Sequence, residues 1–174
     1  MAQSYNLIYT GIGSRRVTAP AAASILEVAS LLDERSYTLR SGGADGCDTL
    51  FESKSSKKEI YLPSYGFNHN TSPLYDIPPK AFEIAKDYHP RWFHLSNFVK
   101  KLMARNVQQV LGQNLDSPTD FIVCWTPDGC EHHRDRTINT GGTGMAISIA
   151  TDYCSIPVFN LFNPASLNLL HVCL

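Results

Sequence analysis

Two glycine-rich segments, Ser41-Gly42-Gly43-Ala44-Asp45-Gly46 and Thr140-Gly141-Gly142-Thr143-Gly144, each follow an apolar strand-like run and open a stretch of helical spacing. A helix start presents unpaired backbone N–H groups, and glycine lets the backbone close on an anion with no Cβ in the way. One such loop commonly solves only a turn. Two of them at strand-to-helix junctions point to a phosphate-binding crevice and a nucleotide-like ligand.

Other chemistry-bearing residues fall around them. Gly11, Gly13, Ser14 and Arg15 follow the first apolar run; Arg15 either clamps a phosphate with its planar fork or is a solvated turn residue. Asp45, Asp48 and Glu52 lie in or just after the first glycine loop. Asp48 reads best as a helix cap, whereas Glu52 stays open between a first-turn acid and a group that binds ribose or acts as a base. Arg105 and Asn106 are the polar pair of the long helical stretch, and Thr126 opens the loop after the strongest strand. The loop Asp128 to Arg136 has metal-ligand residue types but no zinc spacing, so no metal and no cofactor are expected, and it reads as a solvated polar loop. The segment from His89 to His94 mixes aromatic and basic groups able to stack on a base, or to serve as a core aromatic beside a surface histidine.

These residues need elements to hold them. Strand-like runs at Asn6–Thr10, Tyr37–Arg40, Glu59–Pro63, Asp120–Trp125 and Pro157–Leu161 alternate with helical patterns at Ala21–Leu32, Asp48–Ser53, Lys80–Tyr88, Leu95–Leu111 and Gly144–Thr151. Alternation in short units predicts an α/β fold, a Rossmann-like open parallel sheet flanked by helices on both faces. Ligands sit at the carboxyl ends of such strands, where the loops named above converge. Ser64 to Pro79 has no clear period and reads as a long loop or lid. Leu167 to Leu174 fits a helix or an edge strand.

At 174 residues, 43% hydrophobic and 18% charged, the chain is of ordinary globular composition, and residues 1–174 read as a single domain. A formal net charge of -1 supplies no bulk attraction to nucleic acid. No apolar run nears the roughly 20 residues needed to cross a bilayer, and the start lacks the plan of a signal peptide, so a cytoplasmic protein without membrane contact is expected. Five cysteines without CxxC spacing read as reduced thiols.

The strings YTGIGSR, SGGADGCDTLFE, Ala104-Arg105-Asn106, DFIVCWT and GGTGMAISIA leading into IPVFNL resemble the SLOG superfamily of Rossmann-like proteins, which holds DNA-processing protein A and the Lonely Guy phosphoribohydrolases. The resemblance runs from Tyr9 to Leu161 and implies ligand contacts at Gly11, Gly13, Ser14, Arg15, Ser41, Gly42, Gly43, Asp45, Arg105, Asn106, Thr126, Gly141, Gly142, Thr143 and Gly144. Ser148 stands where the hydrolases carry a glutamate, and Asp45 stands where the DNA-processing proteins carry an arginine. The expectation is therefore a small phage-type homologue, homo-oligomeric in the host cytoplasm. It would bind a small-molecule nucleotide, an ADP-ribose-derived or cyclic nucleotide signal, without turnover and so sequester an antiviral immune signal. The alternative is a nucleotide N-glycosidase or phosphoribohydrolase using Glu52 or Asp45. A DNA-binding recombination accessory ranks third, with nucleic acid an unlikely partner.

Overall fold

The chain alternates strand and helix from the outset: β1 (Ile8–Gly13), α1 (Ala19–Glu34), β2 (Thr38–Ser41), α2 (Cys47–Lys54) and β3 (Lys58–Ile60). Then come α3 (Pro79–Tyr88), α4 (Asn97–Leu111), β4 (Phe121–Trp125), α5 (Thr143–Ser148), β5 (Val158–Asn160) and α6 (Pro164–Cys173). This computed structural model describes residues 7–174, so Asn6, placed in the first strand by the sequence, lies outside the described residues. The strands form one all-parallel sheet in the order β3-β2-β1-β4-β5. A change of winding direction at β1 separates the crossovers to β2 and β4, and the crevice beside such a switch point is where α/β sheets place their sites.

Alternation along the central strands sorts the core into two layers. Tyr9, Leu39, Val123 and Trp125 face Ile25, Val28, Leu32, Phe51 and Leu170 from α1, α2 and α6. Ile12, Ile122 and Cys124 face Ala81, Ile84, Val107 and Met145 from α3, α4 and α5. Each buried aliphatic side chain contributes roughly 1.5–3 kcal/mol, which is why a sheet buried on both faces reads as nearly continuous apolar runs.

Helix ends follow their local chemistry. Thr18 caps α1 by accepting from the Ala21 N–H, and Ser96 caps α4 by accepting from the Val99 N–H at 3.3 Å. Gly112 closes α4 with φ of 80°. Three local readings change. β1 does not break at Gly11 but runs through to Gly13, because Gly11 packs directly on Phe51 and Leu39, where a Cβ would lie 2.6 and 2.8 Å from ring and methyl carbons. The helix opened by the second glycine loop passes at Ile149 into a π turn ending at Tyr153. The C-terminal segment is a helix, α6, its Leu170 buried beneath the sheet.

Candidate functional site

At the carboxyl ends of β1 and β2 an open-sided cleft of about 450 Å³ lies between the loop after β1, the start of α2, one face of α4 and the Asn139–Thr143 turn. Gly13, Ser14 and Arg15 make the first wall. That wall is fixed from both sides: the Ser14 N–H donates to the Trp125 carbonyl at 3.0 Å, and the Ser14 carbonyl accepts from the Cys47 N–H at 3.1 Å. Gly46 permits this closeness, since with φ of 86° its missing Cβ would meet the Ser14 and Arg15 carbonyls. α4 supplies the opposite wall through Val99, Leu102, Met103, Arg105, Asn106 and Gln109.

The floor is charged. Asp48, 4% exposed, accepts from the Ala44 N–H at 3.3 Å, and the N–H groups of Gly13 and Gly42 also turn to its carboxylate. Arg105, 5% exposed, holds its Nη1 3.9 Å from Asp48 Oδ2, and its Nε has no partner. With its amide turned so that the oxygen faces the guanidinium, Gln109 accepts from Arg105 Nη1 and from the Gly42 N–H at 2.9 Å. Gly42 is the space this arrangement needs, because a Cβ there would coincide with the Arg105 guanidinium. Burial pushes the Asp48 carboxyl up to about 6 despite Arg105 and the loop amides. Burial also pulls the Arg105 guanidinium below its ordinary range, with Asp48 opposing and the Arg15 charge adding to the fall. Both shifts run toward the neutral forms, so at this separation desolvation outweighs the pairing.

The second glycine turn forms the remaining rim. The Asn106 side chain donates to the Gly142 carbonyl at 3.1 Å, tying α4 to it, and a Cβ on Gly141 would meet nothing within 4 Å. Behind it Asp128 gathers the hydroxyls of Thr126, Thr137 and Thr140 at 2.5 to 2.8 Å and the Cys130 N–H at 3.3 Å. Burial raises the Asp128 carboxyl, but these hydrogen bonds outweigh it and hold the group below the usual carboxylate range. The Asp128–Arg136 segment, expected as a plain solvated loop, is thus the brace of the rim.

Of the residues singled out from the sequence, Gly13, Ser14, Arg15, Arg105, Asn106, Gly141, Gly142 and Thr143 line the cleft. The others do not. Gly11 is under Phe51, and the Ser41 hydroxyl is spent on the Gly11 carbonyl at 2.6 Å. Gly42 makes room for Arg105 beneath the surface, and Gly43 adopts φ of 63° to turn the loop while its carbonyl accepts from Asn68. Thr126 bonds Asp128 and Asn160, and Gly144 packs on Arg136. Asp45 is exposed and accepts from Asn68 at 3.0 Å, and Glu52 accepts from Asn70 and pairs with Lys58 at 3.3 Å, so neither carboxylate lines the cleft. The Ser64–Pro79 loop carries Asn68 and Asn70 and so braces the outside of the first glycine loop; it contributes nothing to the cleft lining.

Asp48 is not the cap of α2, whose N-cap is Gly46; it is the buried anion of the floor. Gln109, Val99, Leu102 and Met103 went unremarked in the sequence, although their spacing with Arg105 and Asn106 puts them on one helical face. Ser148 is buried under the rim, donating to the Gly144 carbonyl and bonded by Arg136 and His133 at 2.8 Å each, away from the cleft lining. Among the described residues no cluster of three or more His, Cys, Asp or Glu is placed to hold a metal ion, and no helix is long and apolar enough to cross a membrane.

No family model and no curated protein matches the chain. Among solved structures it is similar to DNA processing protein A from Helicobacter pylori, studied for its single-stranded DNA binding mode, with 16% identity and a TM-score of 0.48 over 96% of this chain and 80% of that one. It is also similar to DNA processing protein A (DprA) from Streptococcus pneumoniae, with 17% identity and a TM-score of 0.45 over 97% of this chain and 56% of that one. The five-stranded all-parallel sheet with helices on both faces is the Rossmann-like fold expected from the sequence. Two expectations are corrected: a sequestered nucleotide signal, and nucleic acid as an unlikely partner. The proteins found are DNA processing proteins, one described by single-stranded DNA binding, and none is described as holding a nucleotide signal. The objection raised by Asp45 also lapses physically, since that carboxylate is tied to Asn68 outside the cleft.

Proposed function

We propose that the cleft binds a single strand of nucleic acid, with a backbone phosphate at the two arginines and a base against the apolar side of α4. The observation that carries this reading is the charge balance of the cleft: two guanidinium groups, Arg15 and Arg105, face one carboxylate that burial drives toward its neutral form. Such a floor has an unmet demand for an anion, and Arg105 Nε is a buried donor without an acceptor. Beside it Val99, Leu102 and Met103 give a base an apolar face, and the Gly141–Gly142 backbone leaves the rim low. Cationic groove plus stacking surface is the general recipe for single-strand binding. The donors are recessed, so a phosphate must descend to reach Arg105, which a splayed single strand can do and the stiff outer surface of a duplex cannot.

The test is fluorescence anisotropy with a labelled oligothymidylate, against a duplex of equal length, over a series of salt concentrations. The single strand is expected to bind more tightly, with affinity falling as salt rises. Arg15→Ala is expected to weaken binding by about 1.5–3 kcal/mol and to flatten the plot of log affinity against log salt by about 0.7, one single-strand phosphate contact. Equal binding of duplex and single strand, or an unchanged slope in the variant, would overturn the reading.

A further inference from the structure

We infer that a strand held in the cleft continues across a second surface, built by the end of α3, the turn after it and the start of α4, on which Lys86, Arg91, Phe93 and Lys100 contact the phosphates and bases that leave the cleft. This inference rests on the cleft reading and extends its footprint.

The surface is cationic without being neutralised. Among the described residues, Lys86, Arg91 and Lys100 have no carboxylate within ion-pair distance, whereas Lys80, one turn and a half earlier on α3, is paired with Glu83 at 2.9 Å. Arg136 joins them from the far side, giving its Nη1 to the Tyr88 carbonyl at 3.0 Å and to the Ser148 hydroxyl, again with no acidic partner. The local field shows on His89, whose imidazole is pulled below its ordinary range by burial and then by the charges of Arg136 and Arg91. The acids nearest this end of α3 are Asp87, which acts on Tyr88 and Lys80, and Asp152, which accepts from the Tyr88 hydroxyl at 2.9 Å; neither is within ion-pair distance of Lys86, Arg91 or Lys100.

The same surface displays an aromatic ring. Phe93 is 78% exposed, with Lys86 Nζ 5.3 Å from the ring centroid. One face is thus covered by a cation and the rest of the ring is open. An exposed phenylalanine gains nothing from burial in this fold, whereas a base stacked on it is sequence-tolerant and favourable. Trp92, by contrast, is buried in the α3–α4 core and positions Lys100, whose Nζ lies 5.9 Å from the indole centroid.

Continuity with the cleft makes the occupant a nucleic-acid strand. Lys100 lies over Trp92, and Met103 of the cleft wall packs against the same layer that contains Trp92, so the two surfaces adjoin around the edge of α4. On the inferred path, a polyanion leaving the cleft past this side of α4 meets Lys100 and the Arg91–Phe93 turn. Free phosphate or a mononucleotide would fill the cleft and have no use for this surface.

The experiment compares oligothymidylates of about 5 and about 25 nucleotides by anisotropy, using wild type, Arg15→Ala, Phe93→Ala and the charge reversal Arg91→Glu with Lys100→Glu. All are substitutions of surface residues, and circular dichroism confirms that each variant is folded. Phe93→Ala and the charge reversal are expected to weaken the long strand by about tenfold or more and to leave the short strand within about twofold, while Arg15→Ala weakens both. Unchanged long-strand affinity in both surface variants would overturn the inference and leave the cleft reading standing. Long-strand binding lost on charge reversal but insensitive to Arg15→Ala would overturn the cleft reading, and with it the continuous path. Charge reversal that leaves every oligonucleotide unaffected but abolishes binding of an acidic polypeptide such as polyglutamate would assign the surface to a protein partner and overturn the inference.

Discussion

Arg105→Ala is expected to lower stability by about 3–5 kcal/mol, the cost of stranding a buried charge, read as a reduced midpoint in urea denaturation. The guanidinium is the only cation on the Asp48 carboxylate within ion-pair distance among the described residues, and it fills the space left by Gly42. Its loss leaves a buried anion beside a cavity. Asp48→Asn strands the guanidinium instead, with only the Gln109 oxygen to accept from it. The double substitution removes both charges and is expected to cost less than the sum of the two. Additivity of the single costs to within about 0.5 kcal/mol would show that the two ions do not depend on each other at 3.9 Å.

The second large effect is a pH dependence of unusual sign. The Asp48 carboxyl stands at about 6 in the folded protein and at about 3.9 in an unfolded chain, so the native state binds this proton more tightly. Its contribution is fully present below about pH 4 and is lost as pH rises through about 6, amounting to about 3 kcal/mol. Asp33 and Asp128 act in the opposite sense, because hydrogen bonds hold them below the usual range and their contribution falls away on acidification. They are common to wild type and Asp48→Asn, so the stability difference between the two proteins isolates Asp48. That difference is expected to shift in favour of wild type by about 2 kcal/mol between pH 7 and pH 4. A difference that stays flat would mean that Asp48 titrates as an ordinary carboxylate. Oligonucleotide affinity should follow: protonation removes a negative charge from the cleft floor and frees Arg105, so wild type binds more tightly at pH 5 than at pH 7, and Asp48→Asn loses that component.

Much of the scaffold was legible because its signals are local. Apolar runs bounded by glycines placed the strands to within a few residues, and Gly112 marked the end of α4. Of the loops expected to converge at the carboxyl ends of the strands, the loop after β1 and the two glycine segments border the cleft, whereas Thr126, at the start of the loop after β4, is spent on Asp128 and Asn160 behind the rim. What escaped depends on distant partners. Asp48 looked like a cap because an acid in a first turn normally is one; its real role needs Arg105 and the amides of Gly13 and Gly42. Gly42 and Gly43 looked alike, yet one clears space for a side chain and the other turns the backbone. The weight given to Asp45 against nucleic acid came from its place in a motif, and only the fold shows it turned toward Asn68. Overall charge likewise hid a local excess of cations around the cleft and along the α3–α4 turn.

The strand order carries a consequence for the sequence of events in folding. β1 takes its neighbours from very different distances along the chain: Tyr9 is in register with Leu39 on one side and with Phe121 on the other. The crossover through α1 to β2 spans the smaller sequence separation and is expected to close first, whereas β4 pairs with β1 across more than 100 residues and is expected to meet it later. Asp48 and Arg105 are 57 residues apart, so their contact is expected to form late, and a contact made after the rate-limiting step acts on unfolding rather than on folding. Arg105→Ala should accordingly speed unfolding and leave the folding rate nearly unchanged, so that the buried pair serves the molecule as a latch: it governs how long the closed cleft lasts, not how fast it forms.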